Sequence, residues 1–260
     1  MKVSNLKVLK NVQVSARYWH MVVEAPELVS ETHSGQFFHI RCADEDFPFL
    51  RRPFSIYRIN KEDGTLEFLY LIKGEGTKRL TEIVEDEEVD VLGPLGVGFD
   101  LSEELETILL LARGVGIATL AALAQEAGEK GIKSIAILSA RSKNDLLATE
   151  ELQSLGAEVY KVTEEEGTSD VENVEYLISD ILDKNKIDAG FTCGSKRLSK
   201  LIQKVSSDYD IPSQIALEEN MGCAMGACYA CVHDIIQDGE IQPVRVCREG
   251  PVFKIDEVVL

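Results

Sequence analysis

Short apolar stretches with alternating polar positions dominate the first hundred residues of the chain. Runs rich in Val, Ile, Phe and Tyr predict β-strands, because β-branched and aromatic side chains suit a pleated surface. The predicted strands are residues 6–14, 18–24, 36–41, 54–59, 66–72 and 88–92. Turn residues separate them, and residues 77–84 after a glycine-rich loop predict one helix. This spacing predicts a small antiparallel β-barrel over residues 1–100.

The pattern changes after residue 100, where apolar strands alternate with amphipathic helices. Residues 107–112 form a continuous apolar run, which is typical of a strand that is buried on both faces. We predict further strands at 135–139, 158–162, 189–193 and 215–217, and helices at 117–127, 149–155, 171–183 and 196–206. The alternation predicts a doubly wound parallel sheet over residues 101–215, with an exposed, solvated polar loop at 164–170.

Four of the six cysteines lie near the C-terminus with the spacing C-x4-C-x2-C, followed after fifteen residues by the fourth. They are Cys223, Cys228, Cys231 and Cys247. This is the ligand spacing of plant-type 2Fe-2S ferredoxins, and the glycines and alanines between the first three let the backbone approach the sulfurs. A structural zinc site is the alternative, although zinc ligands usually form two close pairs and His233 is poorly spaced. We therefore predict a small cluster domain over residues 216–260.

Composition narrows the possible partners and the compartment. The chain has 260 residues and a formal net charge of −18, which argues against nucleic acid or an anionic membrane as the main partner. No apolar run is long enough to span a bilayer, and the N-terminal residues lack an apolar signal segment. We expect a cytoplasmic protein, whose cysteines stay reduced and available as thiolate ligands.

Two short motifs in the barrel segment carry candidate chemistry. Arg52-Pro53-Phe54-Ser55 begins a predicted strand, where a guanidinium could grip a phosphate. Gly74-Glu75-Gly76-Thr77 opens a predicted helix, whose free N–H groups suit a diphosphate. Each motif alone also fits a surface arginine or an ordinary turn, because short motifs have many chance matches. Their order within one β segment favours a function.

In this order, the motifs resemble the FAD-binding domain of the ferredoxin–NADP reductase superfamily. With the α/β segment and the cysteines added, the whole chain resembles the electron-transfer subunits of type B dihydroorotate dehydrogenases. The resemblance implies FAD, a 2Fe-2S cluster and NAD(H) as cofactors. It also implies a flavin-containing catalytic partner that oxidises dihydroorotate to orotate in pyrimidine biosynthesis, within a heterotetramer. The chain itself would then carry electrons and hold no catalytic residue of the overall reaction.

The resemblance also implies particular cofactor contacts. Flavin and its phosphates would contact Arg52, Pro53, Phe54 and Ser55, the isoalloxazine and ribityl would lie along Leu69, Tyr70 and Leu71, and the diphosphate would contact Gly76 and Thr77. The four C-terminal cysteines would hold the cluster. A preference for NAD over NADP rests on the resemblance alone.

The first turn of the α/β segment departs from the family pattern. Arg113-Gly114-Val115-Gly116 stands where a more glycine-rich loop is usual, and Ala112-Arg113 replaces two expected glycines. Glycine lets the backbone approach a dinucleotide, whereas an arginine side chain occupies volume. Arg113 could obstruct NAD(H), bind its phosphates or reach the flavin, while Gly114 and Gly116 remain candidate nucleotide contacts.

Two other hypotheses stay open, and the departure at Arg113 favours the first of them. The chain could be a paralogue that serves a different dehydrogenase or does not use NADH. A zinc-stabilised interaction protein without redox function would be the third possibility, and it would be colourless when purified. Cys193-Gly194-Ser195 ends the fourth strand and resembles the superfamily's turn beside the nicotinamide, but Cys193 fits a small buried side chain equally well.

Overall fold

A computed structural model describes residues 1–43 and 47–260. The strands are β1 (Lys2–Gln13), β2 (Tyr18–Glu24), β3 (Phe37–Ile40), β4 (Arg52–Ser55), β5 (Arg58–Asn60), β6 (Thr65–Leu71), β7 (Glu88–Leu95), β8 (Thr107–Arg113), β9 (Lys133–Ala140), β10 (Glu158–Thr163), β11 (Ala189–Cys193), β12 (Ser213–Ala216), β13 (Val232–Gln237), β14 (Glu240–Arg245) and β15 (Val252–Lys254). The helices are α1 (Glu75–Leu80), α2 (Ile117–Glu129), α3 (Thr149–Ser154), α4 (Val171–Lys184), α5 (Lys196–Tyr209) and α6 (Val246–Glu249).

The N-terminal strands form one antiparallel sheet with the order β4-β3-β7-β1-β2-β6-β5. The predicted single strand at 54–59 was wrong, because the chain bends there and pairs with both ends of the sheet. The Ile56 N–H donates to the Gln36 carbonyl at 3.0 Å, and the Tyr57 N–H donates to the Glu67 carbonyl at 2.9 Å. This switch brings β4 and β6 side by side and curls the sheet, as the barrel prediction requires.

The second sheet has the order β10-β9-β8-β11-β12-β15 and is parallel except for β15. The five central residues of β8, from Ile108 to Ala112, are all at most 1% exposed, which confirms a strand covered on both faces. β8 pairs with β9 on one side and β11 on the other, so the chain order reverses between β8 and β11. Ligands of open parallel sheets bind outside the carboxyl ends of the strands at such a reversal.

Helix α2 connects the two sheets. Its first eight residues are all buried, and apart from Thr119 they are alanine, leucine and isoleucine. Its Gln125 side chain donates to the Ile59 carbonyl at 2.6 Å and accepts from the Ile59 N–H at 3.2 Å. Both backbone groups of this residue in edge strand β5 are therefore satisfied by the neighbouring domain.

The C-terminal residues return to the parallel sheet, which the sequence pattern did not predict. Strand β15 pairs with β12, and the Leu217 N–H donates to the Pro251 carbonyl at 2.9 Å. The Val97 N–H after the barrel donates to the Gly250 carbonyl at 2.6 Å. The C-terminal segment is thus fixed to both sheets. Within the two described ranges, no helix has the length and apolar character needed to cross a membrane.

We predict that Gly35→Ala strongly destabilises this three-way junction. Gly35 has φ +86°, and an added Cβ would lie 2.7 Å from the Phe99 backbone nitrogen and 2.8 Å from Val252 Cγ2. Left-handed strain and the clash together should lower the free energy of unfolding by about 3 kcal/mol. Thermal unfolding of the cofactor-loaded protein measures the change.

Gly131→Ala is the matched control. Gly131 also has a positive φ, at +74°, but no atom lies within 4 Å of the added Cβ. It carries the conformational strain without the clash and should cost about 1 kcal/mol. Equal decreases in melting temperature for the two variants would contradict the close packing at Gly35.

Candidate functional site

A cleft of about 300 Å3 lies between the curled sheet, helix α2 and the residues that follow β12. Its volume is in the range of small-molecule sites. Its lining is formed by Phe37, Arg52, Pro53, Phe54, Ser55, Leu69, Tyr70, Leu71, Lys73, Thr77, Val115, Ala118, Leu217, Glu218, Glu219, Met221 and Pro251. Most residues predicted to contact FAD therefore lie on one surface, because β4 and β6 meet where the sheet closes.

The two adjacent arginines before β4 differ in their partners. Arg51 forms a bidentate ion pair with Asp90, with nitrogen–oxygen distances of 2.6 and 2.8 Å. Arg52 lines the cleft and donates to the backbone carbonyls of Leu50 and Arg51. Among the residues the structure describes, Arg52 has no carboxylate partner, so its charge remains available for an anionic ligand.

The glycine loop before α1 lies directly against Arg52. A Cβ at Gly76 would be 3.2 Å from the Arg52 guanidinium carbon, a close contact that would require the Arg52 side chain to shift by a few tenths of an ångström. The Thr77 hydroxyl accepts hydrogen bonds from the N–H groups of Lys73 and Gly74 at 2.9 and 3.1 Å. These bonds hold the loop in shape beside the cleft. Gly76 does not line the cleft itself, whereas Thr77 does.

The three predicted residues of β6 contribute unequally. Leu69 and Leu71 pack against the core of the parallel-sheet domain. The Tyr70 hydroxyl instead donates to Asn11 Oδ1 at 2.9 Å inside the barrel, and Tyr70 is 2% exposed. Burial raises the pKa of Tyr70, so its hydroxyl stays protonated as a donor. Tyr70 therefore supports the wall of the cleft more than it offers a polar group to a ligand.

The first turn of the α/β domain packs closely on a second turn. The Gly114–Gly116 segment is a short 3₁₀ turn between β8 and α2, and Gly114 has φ +55°. A Cβ at Gly116 would lie 2.7 Å from the Cys193 carbonyl carbon. A Cβ at Gly194, which has φ +92°, would lie 2.3 Å from the Arg113 carbonyl oxygen. The glycines let the carboxyl ends of β8 and β11 meet.

Arg113 extends along the carboxyl edge of the sheet. Its guanidinium donates to Ser139 Oγ at 2.8 Å and to Glu164 Oε1 at 2.5 Å. The loop containing Glu164 is exposed, as predicted, but its carboxylates are engaged: Glu165 accepts from the Lys143 N–H, and Glu166 pairs with the Lys143 ammonium. A solvated loop was therefore an incomplete description, since the loop supplies counter-ions to the basic groups of this edge.

A second cavity, of about 210 Å3, adjoins the first. Arg17, Tyr18, Leu71, Arg113, Gly114, Val115, Ala140, Arg141, Gly194 and Glu218 line it. The two cavities share Leu71, Val115 and Glu218. The candidate nucleotide residues Arg113 and Gly114 thus lie next to the candidate flavin cleft. Gly116 does not line this cavity, and it packs against the Cys193 turn instead.

Glu218 is a site residue that the sequence interpretation missed. It lines both cavities, and its carboxylate lies 3.8 Å from the Cys193 thiol. Partial removal from water raises the pKa of Glu218, against smaller opposing effects of the Cys193 hydrogen bond and of Lys73. The Cys193 thiol is buried, and burial together with Glu218 raises its pKa. The sequence carried one indirect signal for Glu218. The α/β pattern ends with strand β12, so the residues directly after it were expected at the carboxyl edge of the sheet, where ligands bind.

The four C-terminal cysteines form two pairs. The Cys223 thiol has the Cys228 thiol as a neighbour, and the Cys247 thiol has the Cys231 thiol as a neighbour. A 2Fe-2S centre takes two protein ligands on each iron, so two adjacent pairs fit it. In the described ranges, no group of three or more Cys, His, Asp or Glu side chains is arranged around a single metal position.

A hairpin explains how the remote fourth cysteine reaches the third. β13 and β14 pair in antiparallel register from Val232 and Arg245 outward, and the Val246 N–H donates to the Cys231 carbonyl at 3.0 Å. The fifteen residues between Cys231 and Cys247 are mostly this hairpin. Cys231 and Cys247 are therefore close in space although they are distant in sequence, because the two strands between them are antiparallel.

The backbone around Cys223 is prepared for a thiolate. Its sulfur accepts from the N–H groups of Ala227 and Cys228, both at 3.3 Å. Burial, the largest single influence, raises the pKa of Cys223, but hydrogen bonds from Met225, Cys228 and Ala227 outweigh it and lower the pKa to about 6. Burial and the neighbouring Cys231 raise the pKa of Cys247 to about 12. Positive φ values at Ala224 and Gly226 wrap the loop around the sulfur.

Comparison with known proteins agrees with this geometry. Residues 218–259 match the family model described as the iron-sulfur cluster binding domain of dihydroorotate dehydrogenase B. An electron transfer subunit of dihydroorotate dehydrogenase B (NAD(+)) from Desulforamulus reducens is 33% identical over 258 residues, which cover 99% of this chain and 98% of the relative. The corresponding subunit from Streptococcus pneumoniae R6 is 34% identical over 262 residues, covering 100% and 99%.

The chain belongs to the family of dihydroorotate dehydrogenase B electron transfer subunits. Its fold is also that of a solved NADH-dependent reduced ferredoxin-NADP oxidoreductase, with a TM-score of 0.83 and 24% identity over 98% of this chain and 90% of that one. The curled antiparallel sheet, the parallel-sheet domain and the cysteine-bearing C-terminus are thus the architecture of a family of electron carriers. The predicted fold class and the predicted family are confirmed.

We predict that Gly116→Ala separates the two turns at the site. The added Cβ would lie 2.7 Å from backbone atoms of Cys193 and Gly194, so one turn must move and carry Cys193 away from Glu218. Displacements of this size typically slow a positioned reaction by about 10- to 100-fold. The rate at which NADH reduces the bound flavin measures the effect.

Gly128→Ala, in helix α2 that follows this turn, provides the control for that change. Its Cβ would be 3.8 Å from the Leu155 carbonyl oxygen, an ordinary contact. This variant should keep the reduction rate and gain about 1 kcal/mol of helix stability. An unchanged rate in Gly116→Ala would show that the contact between the turns does not matter for the reaction.

We also predict that Cys247→Ala abolishes the cluster. It leaves Cys231 without its partner thiol, and iron and acid-labile sulfide should fall to a small fraction of the wild-type content. Cys42→Ala is the control, because Cys42 is a buried thiol in the barrel core and should not affect iron content. Purified protein containing zinc and no sulfide would contradict the two-iron assignment.

Proposed function

We propose that the chain passes electrons between a nicotinamide cofactor and a catalytic partner through FAD and a 2Fe-2S cluster. The observation that carries this proposal is the continuity of the cleft with the cysteine pairs. Glu218, Glu219 and Met221 line the cleft, and Cys223 follows two residues later in the same segment. A flavin in the cleft and a cluster on the cysteines would be neighbours, as electron transfer requires.

FAD fits the barrel side of the cleft. Arg52 and the loop at Gly76 and Thr77 would hold its phosphates, because the Arg52 guanidinium lines the cleft and the Gly76 backbone lies directly against it. Pro53, Phe54 and Ser55 on β4, with Leu69, Tyr70 and Leu71 on β6, would form the wall along its rings. When bound, FAD supplies the exchange between two-electron and one-electron chemistry.

The cluster fits the cysteine loop. Cys223 and Cys228 would bind one iron, and Cys231 and Cys247 would bind the other, which follows from the pairing of their thiols. The N–H groups that point at the Cys223 sulfur would stabilise negative charge on the cluster ligands and tune the potential. Cys228 is exposed, so this edge of the loop is open to a partner.

NAD(H) is the proposed dinucleotide, and its site is the cavity at Arg113, Gly114 and the Cys193 turn. This cavity shares three residues with the flavin cleft, which suits transfer between the two cofactors. Glu218 lines both cavities and would orient the reacting groups, and the buried Cys193 thiol behind it would hold its carboxylate in place. The choice of NAD over NADP follows the NAD(+) in the names of the relatives.

The proposed partner is a flavin-containing dehydrogenase subunit that oxidises dihydroorotate to orotate in pyrimidine biosynthesis. The relatives' name, electron transfer subunit of dihydroorotate dehydrogenase B, supports a dihydroorotate dehydrogenase as the partner. We propose a cytoplasmic heterotetramer in which residues 1–100 hold FAD, residues 101–215 hold NAD(H) and residues 216–260 hold the cluster. A second candidate is a paralogue that receives its electrons from a donor other than NADH. The ion pair between Arg113 and Glu164 favours it, because this pair occupies the guanidinium beside the proposed dinucleotide site.

Anaerobic titration of the purified protein with NADH tests the proposal. We expect the flavin absorbance and the cluster absorbance both to bleach, because electrons entering at the flavin reach the neighbouring cluster. Adding the dihydroorotate-oxidising subunit should then make dihydroorotate an alternative reductant of both centres.

Dithionite provides the control for the titration, since it reduces both centres without a nucleotide site. Reduction by dithionite but not by NADH would exclude the nicotinamide step and favour the second candidate. Bleaching of the flavin alone would contradict electron transfer to the cysteine site.

A further inference from the structure

Arg113 is held across the carboxyl ends of three parallel strands. It ends β8, it donates to Ser139 Oγ near the end of β9, and it forms an ion pair with Glu164, the residue after β10. Neighbouring strands lie about 4.8 Å apart, so the side chain must be nearly extended to reach this position. The guanidinium therefore lies over the edge where a dinucleotide would bind.

The cavity beside Arg113 collects positive charge from both domains. Arg17 from the turn between β1 and β2, Arg113 and Arg141 all line it. Guanidinium groups bind phosphates through paired hydrogen bonds, and the three around this cavity of about 210 Å3 outnumber the one carboxylate that also lines it, Glu218. This concentration contrasts with the chain's formal net charge of −18.

Glu164 is the counter-ion of that site. Its carboxylate is 50% exposed, whereas the Arg113 side chain is only 20% exposed. Its N–H donates to the Ala140 carbonyl at 3.1 Å, so the backbone is fixed while the side chain can rotate into solvent. The two following glutamates bind Lys143, outside the group of cavity residues. Within the part of the chain that the structure describes, Glu164 is thus the carboxylate of the 164–170 loop that pairs with an arginine of the cavity, Arg113.

We propose that Glu164 is an exchangeable counter-ion whose place on Arg113 is taken by a phosphate oxygen when a nicotinamide dinucleotide binds. The inference rests on the proposed function, because it concerns the same cavity. A carboxylate and a phosphate use the same guanidinium N–H groups and cannot both hold them. A half-exposed ion pair is weak, so a doubly charged pyrophosphate can displace it.

The exchange gives the two residues opposite effects on affinity. Glu164 competes with the ligand for Arg113 and so weakens ligand binding. Arg113 binds the ligand once Glu164 has released its guanidinium. Arg113 is then neither an obstruction nor a group directed at the flavin. It replaces, by charge, the close backbone approach that the glycines of the usual loop would provide.

ADP-ribose is a suitable probe, since it carries the pyrophosphate but cannot donate hydride. Calorimetric binding to the FAD- and cluster-loaded protein should tighten about fivefold in Glu164→Gln and weaken about tenfold in Arg113→Gln, the sizes typical of partly exposed charge contacts. In the double variant, Glu164→Gln should give no gain beyond that of the control, because its partner is absent.

Glu165→Gln is the control, with the same charge change in the adjacent residue and no contact with Arg113. If Glu165→Gln tightened ADP-ribose binding as much as Glu164→Gln, the effect would come from long-range charge alone, and the exchange would be overturned. Tighter binding in Arg113→Gln, or no ADP-ribose binding in any variant, would also overturn it. Flavin reduction by NADH tests the proposed function separately. The reduction can fail while the ADP-ribose affinities of the variants follow the exchange, and those affinities can contradict the exchange while NADH still reduces the flavin.

Discussion

The antiparallel pairing of β15 with β12 is the constraint on which the site depends. Ala216 and Val252 are partners in this pairing, and the next backbone bond joins Leu217 to Pro251. Residues 217–251 therefore leave the sheet and return to it at one point. Such a closed segment cannot move away from the ligand edge, and its first residues must line the cleft. The cysteines follow immediately, which keeps the cluster site next to the flavin site.

A second closure lies inside the first. The β13–β14 hairpin brings Cys247 back to Cys231, and Arg245 ties the base of the hairpin to the cysteine loop through its bond to the Gly226 carbonyl at 3.0 Å. Arg245 also pairs with Glu249 and lies 5.3 Å from the Tyr229 ring centre. Ordinary hydrogen bonds and one ion pair thus preorganise the thiols, so that a cluster does not have to gather them from distant positions.

Much of this arrangement could be predicted from local sequence. The run at 108–112 is apolar throughout because β8 is covered on both faces, and the cysteine spacing indicates a two-iron site because three ligands share one short loop. The hairpin also had a signal, the Asp238-Gly239 turn, whose positive φ values suit a tight connection. The bend at 56–57 had none, since it satisfies two separate strand edges rather than a local preference.

The sequence by itself determined which chemical groups are present, and the motif order that makes their cofactors recognisable. The tertiary structure alone decided which groups meet. Arg51 and Arg52 are adjacent in the chain, yet one is neutralised by Asp90 and the other faces the cleft. Arg113 meets Glu164, 51 residues away, because β8, β9 and β10 end at the same edge. Such contacts depend on strand order and register, which long-range packing sets and local spacing does not encode.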